Sequence, residues 1–456
     1  MIPTPIYQFI SIDAPALLTA VAASVACGLL GSFLVLRRVS LMGDAISHAV
    51  LPGLVLAFLL TGTRAPLPMF LGAAAAAGLS VFLIELVRRL GRMESGAAMG
   101  VVFSVFFALG VLLIERAAAR QVDLDPDCVL NGMLETIFWL PPQRWEELLT
   151  WSALADLPRQ LWVAGGMAAL TCLFIAAFFK ELRLSSFDPG LSSALGFRAG
   201  ALNAALMAFV AAATVASFEA VGSILVIAML ICPAATARLL TDRLSMHVAL
   251  SGIIAALSAA AGYLLAAFGP RLLGSEHAVS APGMIAVVCG ASLAIAVLAA
   301  PRHGVIARLL RRADLAATIA REDALGWLYR RHEAGESAVT QQALRAALGH
   351  ARPARRGLRS AIAQGEIAPL ADDRLALTDR GRERAAQLIR AHRLWESYLV
   401  DQAGLRPDHV HDTATLLEHA RDPRGPRLMP DGTGRLVDPH DQPIPPDLAA
   451  TGIQRP

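Results

Sequence analysis

Lysine is almost missing from this chain. Lys180 is the single one in 456 residues, and every other cationic side chain is arginine. Lys180 stands in "FFKELRL", so no GxxxxGK[ST] phosphate-binding loop exists and nucleotide hydrolysis by that route is excluded. Cysteine is scarce as well. Cys27, Cys128, Cys172, Cys232 and Cys289 are far apart in sequence, and four of them lie in apolar stretches. That spacing excludes a CxxC metal site and argues against a disulfide framework. Charge is the third shortage, at 17% of residues, where soluble domains carry about a quarter. The deficit is uneven: residues 14–300 are mostly Ala, Leu, Val, Ile, Phe and Gly, whereas Arg, Asp, Glu and His become common from Pro301 onward. The formal net charge of +3 is too small to name a partner. Residues 1–15 lack a basic leader region, and the apolar run that follows is long enough to span, so a first span is expected instead of a cleaved leader.

What the chain has is hydrophobic length: 55% hydrophobic residues and a mean hydropathy of +0.53. A spanning helix needs about 20 mostly apolar residues. Candidates fall at 16–36, 44–62, 66–87, 97–114, 160–180, 201–219, 222–240, 246–268 and 281–299. Cationic residues follow alternate segments: Arg37 and Arg38, Arg88, Arg89 and Arg92, Lys180 and Arg183, Arg238 and Arg243, Arg302 and Arg308. The positive-inside rule puts these ends in the cytoplasm. About nine spans are expected, with "DLDPD" (123–127) and "GSEHAVS" (274–280) outside and the C-terminal region inside. Residues 128–150 are expected to form a re-entrant or interfacial helix, and Pro233 to kink the seventh span. The expected fold class is an all-α polytopic membrane domain followed by a small soluble winged-helix plus helical domain. The expected boundaries are 1–312, 313–390 and 391–423, with a disordered tail over 424–456.

Three polar features interrupt the apolar part. In "RRVSLMGDAISHAVLPG" (37–53), Asp44 and His48 stand at i and i+4, which places both on one helix face. A carboxylate oxygen and an imidazole nitrogen there suit a divalent cation. An internal Asp–His hydrogen bond, or an aspartate capping the helix start, explains the spacing too. Ionisable groups in a span are costly and usually face a pathway. Glu219, in "SFEAVG", is the second such group, with a helix end near the outer surface as its plain alternative. The third feature is "FDPGLSSALGFRAG" (187–200), where Asp188–Pro189 reads as a cap and first turn of a short helix ending near Gly196. Such a loop helix is what a permease offers to an ATP-driven motor, and equally what a polytopic chain uses to cross between spans.

These segments, with "DLDPDCVLNGML", "SFEAVGSILVIAMLICPAATARLLTDRL" and "APRHGVIARLLRR", resemble the metal-ion permease family of ABC transporter importers over residues 14–312. "SFEAVGSILV" resembles its manganese/iron branch more than its zinc branch, and Asn131 departs from an aromatic common in the family. The resemblance implies that Asp44 and His48 contact metal on the translocation path, and Glu219 is expected to join them there. It implies that 187–200, with Phe187, Asp188, Leu195 and Gly196, seats on a cytoplasmic ATPase subunit. It further implies a second permease subunit, identical or paralogous, and an external metal-binding protein for delivery.

The C-terminal region reads as three helices, "REDALGWLYRRHEAG", "SAVTQQALRAALG" and "ARRGLRSAIAQGEI", then two strands around Asp372–Asp373 and a further helix. That order is a winged helix-turn-helix. "AHRLWESYLVDQAGLRPDHVHDTATLLEHARDP" (391–423) resembles the metal-binding and dimerisation helices of iron- and manganese-dependent repressors of the diphtheria-toxin-repressor type. The resemblance implies metal contacts at Asp323, His392, Glu396, His411, Glu418 and His419. Two donors of that family are replaced here, by Gly326 and Thr415.

The leading expectation is a permease subunit, not itself an enzyme, of an ATP-binding-cassette importer in the bacterial plasma (inner) membrane. It would carry manganese or iron, with zinc next, and hold no permanently bound cofactor. The C-terminal domain would sense cytoplasmic metal and restrain transport, or be a degenerate fold retained as an interaction surface, with DNA the least favoured partner. The alternatives are a gradient-coupled secondary metal transporter, for which no internal symmetry is visible, and a membrane-anchored metal-responsive regulator.

Overall fold

Apolar runs of 20 or more residues have one way to satisfy their backbone away from water without pairing to other strands, the α-helix. In the computed structural model the first of two units, Met1–Ala307, is built from such helices. The structure describes residues 3–40, 42–63, 65–118, 132, 134–148, 150–272, 274, 279–349, 352–419 and 436–446, apart from a few side chains within them. "DLDPD", Asn131, Cys128 and most of 274–280 therefore lie outside the described residues.

Among the described residues, the helices of six or more residues in this unit are α1 (Ala14–Leu36), α2 (Met42–Thr61), α3 (Pro66–Gly91), α4 (Ser95–Ala118), α5 (Arg159–Ala177), α6 (Phe179–Phe187), α7 (Pro189–Ala194), α8 (Ala199–Leu240), α9 (Leu244–Leu272) and α10 (Ala281–Ala299). Eight are long and apolar enough to cross a membrane, and Ile224–Leu240 is a shorter apolar segment. The chain is a multi-pass membrane protein. α1 is the hub, packed on α5, α8 and α9, while α2 packs on α3, α4 and α8. A Cβ on Gly31 would stand 1.8 Å from the carbonyl oxygen of Leu230, so α1 and α8 meet backbone to backbone. Side chains such as Leu60, Leu79, Phe82, Leu173, Leu257 and Ile295 are exposed. In water they would be a liability; in a bilayer they are the solvent-facing surface.

Two expectations need correcting. α8 runs 42 residues, and its backbone leaves helical dihedrals at Gly222 (φ 75, ψ 168), not at Pro233. Only glycine adopts that conformation without strain, so Ala199–Phe218, long enough to span, and the shorter apolar Ile224–Leu240 meet at a break with no loop. Residues 134–155 form no long helix. They make short turns at Leu134–Thr136 and Trp145–Glu147 and a five-residue helix at Trp151–Ala155. Pro141–Pro142 accounts for this, since neither has an amide to donate and each disfavours helix in the residue before it. The segment is tied down nonetheless. Trp139 N donates to Ser11 O (2.8 Å), Tyr7 Oη donates to Pro141 O (3.1 Å), and the Glu135 carboxylate accepts from Ala281 N (2.7 Å) at the start of α10.

The second unit, Arg308–Pro456, is an α+β body. Its elements are α11 (Val305–Glu333, entering from the first unit), β1 (Val339–Thr340), α12 (Gln341–Leu348), α13 (Arg352–Ala363), β2 (Ile367–Pro369), β3 (Arg374–Leu377), α14 (Asp379–Asp401) and α15 (His411–Leu417). α11, α12 and α13 followed by the β2–β3 hairpin form a winged helix-turn-helix. The sheet gains a third strand, in the antiparallel order β1-β3-β2 with Val339 opposite Leu375 and Ile367 opposite Leu377. Asp372 and Asp373 turn the hairpin with φ 61 and 55, the pair of left-handed residues that matches strand twist. Leu325, Leu344, Leu358, Ile367 and Leu375 fill the core. Beside it Arg321 donates twice to the Glu366 carboxylate, at 2.9 and 3.0 Å.

The expectation of an unstructured tail fails for residues 436–446. Arg390 donates to Pro445 O (2.6 Å), Arg393 donates to Pro443 O, and the carboxylate of the buried Asp438 accepts from His440 N and Gln442 N. Polar composition hid a segment whose carbonyls are held by two arginines of α14, Arg393 buried and Arg390 half-buried.

Candidate functional site

Asp44 stands in the first turn of α2 and His48 one turn on, with Nε2 and Oδ1 3.4 Å apart. The side chains are 24% (His48) and 37% (Asp44) exposed, so the pair is not sealed in dry packing. The imidazole lies edge-on to Phe103 (centroids 4.9 Å apart) and Phe107 (5.7 Å) of α4, which hold its ring. Pro52 follows four residues later within α2. Having no amide hydrogen, it leaves the His48 carbonyl without its intrahelical donor. The pair thus offers a carboxylate oxygen and an imidazole nitrogen one turn from a weakened stretch of helix. Two donors do not fill the shell of a divalent ion, so waters or a further group must complete it. The side chain of Glu219 lies outside those described. Its backbone is in α8, three residues before the Gly222 break.

The loop helix forms as its sequence predicts. The Asp188 carboxylate caps α7 by accepting from Leu191 N (2.9 Å), and Gly196 closes the segment with φ 84. Phe187, Leu191 and Leu195 are 66%, 48% and 60% exposed. A capped six-residue helix with one bare apolar side chain of its own and one more on either side is built for contact.

In the second unit α11, α14 and α15 bring the six residues expected from the sequence into two groups that could each hold a metal ion, His392–Glu396–His411 and Asp323–Glu418–His419. In the first, Glu396 Oε1 is 3.1 Å from His392 Nε2 and 2.9 Å from His411 Nδ1, and the two ring nitrogens are 3.1 Å apart. Donors placed about 2.2 Å from an ion at right angles stand about 3.1 Å from one another, so the spacing of the set is compatible with one shared ion. In the second, His419 Nε2 is 3.0 Å from Asp323 Oδ1 and 3.5 Å from Glu418 Oε1. Glu418 joins the groups, because its other oxygen is 2.6 Å from His392 Nδ1.

Burial and charge compete here. Burial pushes the His419 imidazole down, but hydrogen bonds to Asp323 and Glu322 outweigh it and carry its pKa to about 9. Burial pushes Glu396 up, yet His392 and His411 bring it down to about 2. His392 is lowered by burial and raised by Glu396 and Glu418, with a net rise. Without metal the groups hold protons, and metal must displace them.

The two replaced donors are accounted for. A Cβ on Gly326 would meet Leu388 at 3.2 Å, and the Thr415 hydroxyl is spent on His411 O (3.0 Å). Two side chains beside these groups escaped the sequence reading. Glu322, buried, accepts from His419 Nδ1 at 2.8 Å, opposite Asp323 on the other nitrogen. Adjacent helical residues point 100° apart, and only the two-headed imidazole between them unites them; Glu–Asp adjacency was the sole available signal. His440, on the ordered tail, brings Nε2 to 3.9 Å from Glu396 Oε1. Its signal was a histidine in a stretch too polar to suggest packing.

Comparison with known proteins agrees with both halves. Residues 8–135 and 148–301 match the ABC 3 transport family, and 378–446 match the iron dependent repressor, metal binding and dimerisation domain. The manganese transport system membrane protein MntD of Bacillus subtilis (strain 168) is 39% identical over 305 residues, covering 67% of this chain and 98% of the relative. The zinc transport system membrane protein TroD of Treponema pallidum (strain Nichols) is 39% identical over 293 residues, 64% of this chain and 75% of the relative. Among solved structures, PsaBC from Streptococcus pneumoniae in complex with Fab is similar with a TM-score of 0.51 and 31% identity, over 65% of this chain and 96% of that one.

Proposed function

The chain belongs to the ABC 3 transport family, and from that premise we propose that it is the permease subunit of an ATP-driven importer of divalent metal, manganese or iron ahead of zinc. The metal is cargo. Asp44 and His48, with Glu219, receive it in the pathway, and α7, with Phe187, Asp188, Leu195 and Gly196, seats on a separate ATPase subunit. A second permease subunit, identical or paralogous, completes the shell that two donors leave open, and an external binding protein delivers the ion. The permease region runs over 1–312. The winged helix (313–390) and the metal-binding helices (391–423, with 436–446) form a cytoplasmic domain that senses internal metal and restrains uptake. Oxygen and nitrogen donors throughout support manganese, iron or zinc over a thiophilic ion.

The observation that carries the reading is the carboxylate–imidazole pair at 3.4 Å, braced by two phenylalanines, in a helix whose other residues are mostly apolar. In vesicles holding the chain with its ATPase subunit, Asp44→Ala and His48→Ala are each expected to lower manganese uptake at least about tenfold, the scale of losing a metal contact. Assembly and basal ATP hydrolysis should persist. Uptake at the wild-type rate in both variants removes the pair from the pathway.

A further inference from the structure

Arg37 caps the C-terminal end of α1 and is half-buried. Its three described partners are neutral. Nη1 donates to Asn203 Oδ1 at 2.6 Å, Nη2 to Ser185 Oγ at 2.9 Å, and Nε to Ser186 Oγ at 3.0 Å. An arginine that merely marks a membrane boundary turns to water, as its exposed neighbour Arg38 does. Arg37 turns inward instead and spends its planar fork on two other elements, the last turn of α6 and the start of α8. A guanidinium held at three corners by different elements fixes their mutual position more sharply than a flexible ammonium would.

The two ends of this tie are what matter. Ser185 and Ser186 precede Asp188, the residue that caps α7, by three and two positions. In the other direction Arg37 opens the tight turn into α2. Arg38 adopts φ 58, Val39 N donates to Leu34 O (3.0 Å), and Met42 N donates to Val39 O (3.0 Å). Asp44 comes two residues after Met42. Little in between can absorb a displacement. Gly31 of α1 lies against the Leu230 carbonyl, and a Cβ on Gly43 of α2 would meet Leu230 Cδ1 at 2.7 Å. The ends of α1 and α2 nearest the turn are thus both pressed onto one residue of α8.

We propose that Arg37 is the positioning residue that couples α7 to the Asp44–His48 pair, so that motion of the α6–α7 segment is delivered through the guanidinium to the start of α2. The inference rests on the reading of α7 as the ATPase seat. It makes the α6 serines part of the transmission: their oxygens accept from Arg37 while their hydroxyls donate to Leu182 O, at 3.3 Å from Ser185 and 2.6 Å from Ser186.

The test uses the full chain with its ATPase subunit in vesicles and reads two quantities, ATP hydrolysis and manganese moved per ATP. Arg37→Ala is expected to lower manganese per ATP about tenfold or more, as misplacement of a reacting group does, while hydrolysis stays within about twofold of wild type, a change worth little in free energy. Arg37→Lys should recover part of the ratio. The Ser185→Ala/Ser186→Ala double variant should lose it without disturbing assembly. A wild-type ratio in the double variant overturns the proposal even where Arg37→Ala fails to assemble. Hydrolysis and uptake falling in equal proportion overturns it as well, since that marks a structural role. A wild-type chain whose ATP hydrolysis moves no metal overturns the importer reading itself, and is distinguished from both.

Discussion

His419 shows how much a single side chain can report. Its pKa lies at about 9 in the folded chain against 6.5 ordinarily. A raised value means that the imidazolium stabilises the fold fully below 6.5 and that this contribution is lost as pH rises through about 9. Glu396, held at about 2 against 4.5, runs the other way: its contribution is present above 4.5 and lost as pH falls through about 2. The metal-free cluster is therefore expected to be most stable between those ordinary values. Amide hydrogen exchange over 411–419 in the full chain checks this, with protection at pH 6 exceeding that at pH 9.5 after correction for intrinsic rates. Manganese added at the higher pH should restore protection, because a neutral imidazole is then free to act as ligand. Protection that is flat across this range would mean that His419 is not held between its carboxylates.

Among the elements, α8 carries the decisive irregularity. At Gly222 the backbone has φ 75 and ψ 168, a region that side chains other than glycine enter at a cost of order 1–3 kcal/mol. Gly132 presses on it, since a Cβ there would lie 2.5 Å from Gly222 N. Gly222→Ala is thus expected to lower the melting temperature of the detergent-solubilised chain by several degrees and to reduce uptake. Gly200→Ala, in the same helix with open space around it, should be neutral or slightly stabilising. Equal melting temperatures for the two variants would mean that the break bears no strain. The sequence reading foresaw two apolar segments here but expected the kink at Pro233. Proline is a local signal, whereas the glycine break depends on what packs against it.

For the molecule as a whole, the question is why a permease carries a second body bearing two joined groups of metal donors. If that body senses internal metal, a chain ending at Asp314 should insert, assemble and transport at the wild-type rate when internal metal is low. It should lose the fall in uptake that follows loading the vesicle lumen, or the cell, with manganese. Radiolabelled uptake at two internal concentrations measures this. Identical attenuation in both chains would assign the domain another role.

The sequence by itself determined where the chain meets lipid, because bilayer thickness dictates helix length and the cost of burying charge dictates where arginines stop. It determined the neighbours four residues apart, Asp44 with His48 and His392 with Glu396, since helical pitch is a property of the backbone alone. It also determined the Asp188 cap and the hairpin turn at Asp372–Asp373, which are settled within a few residues. Tertiary structure alone decided that Glu322 and His419, nearly a hundred positions apart, share a proton site. It decided that a polar tail lies on α14 and brings His440 toward Glu396. It also decided that Arg37 faces two serines and an asparagine instead of water. Periodicity and propensity report what a residue does to its own helix. They carry no information about which distant surface arrives to satisfy a buried charge, and each of these sites is made by such an arrival.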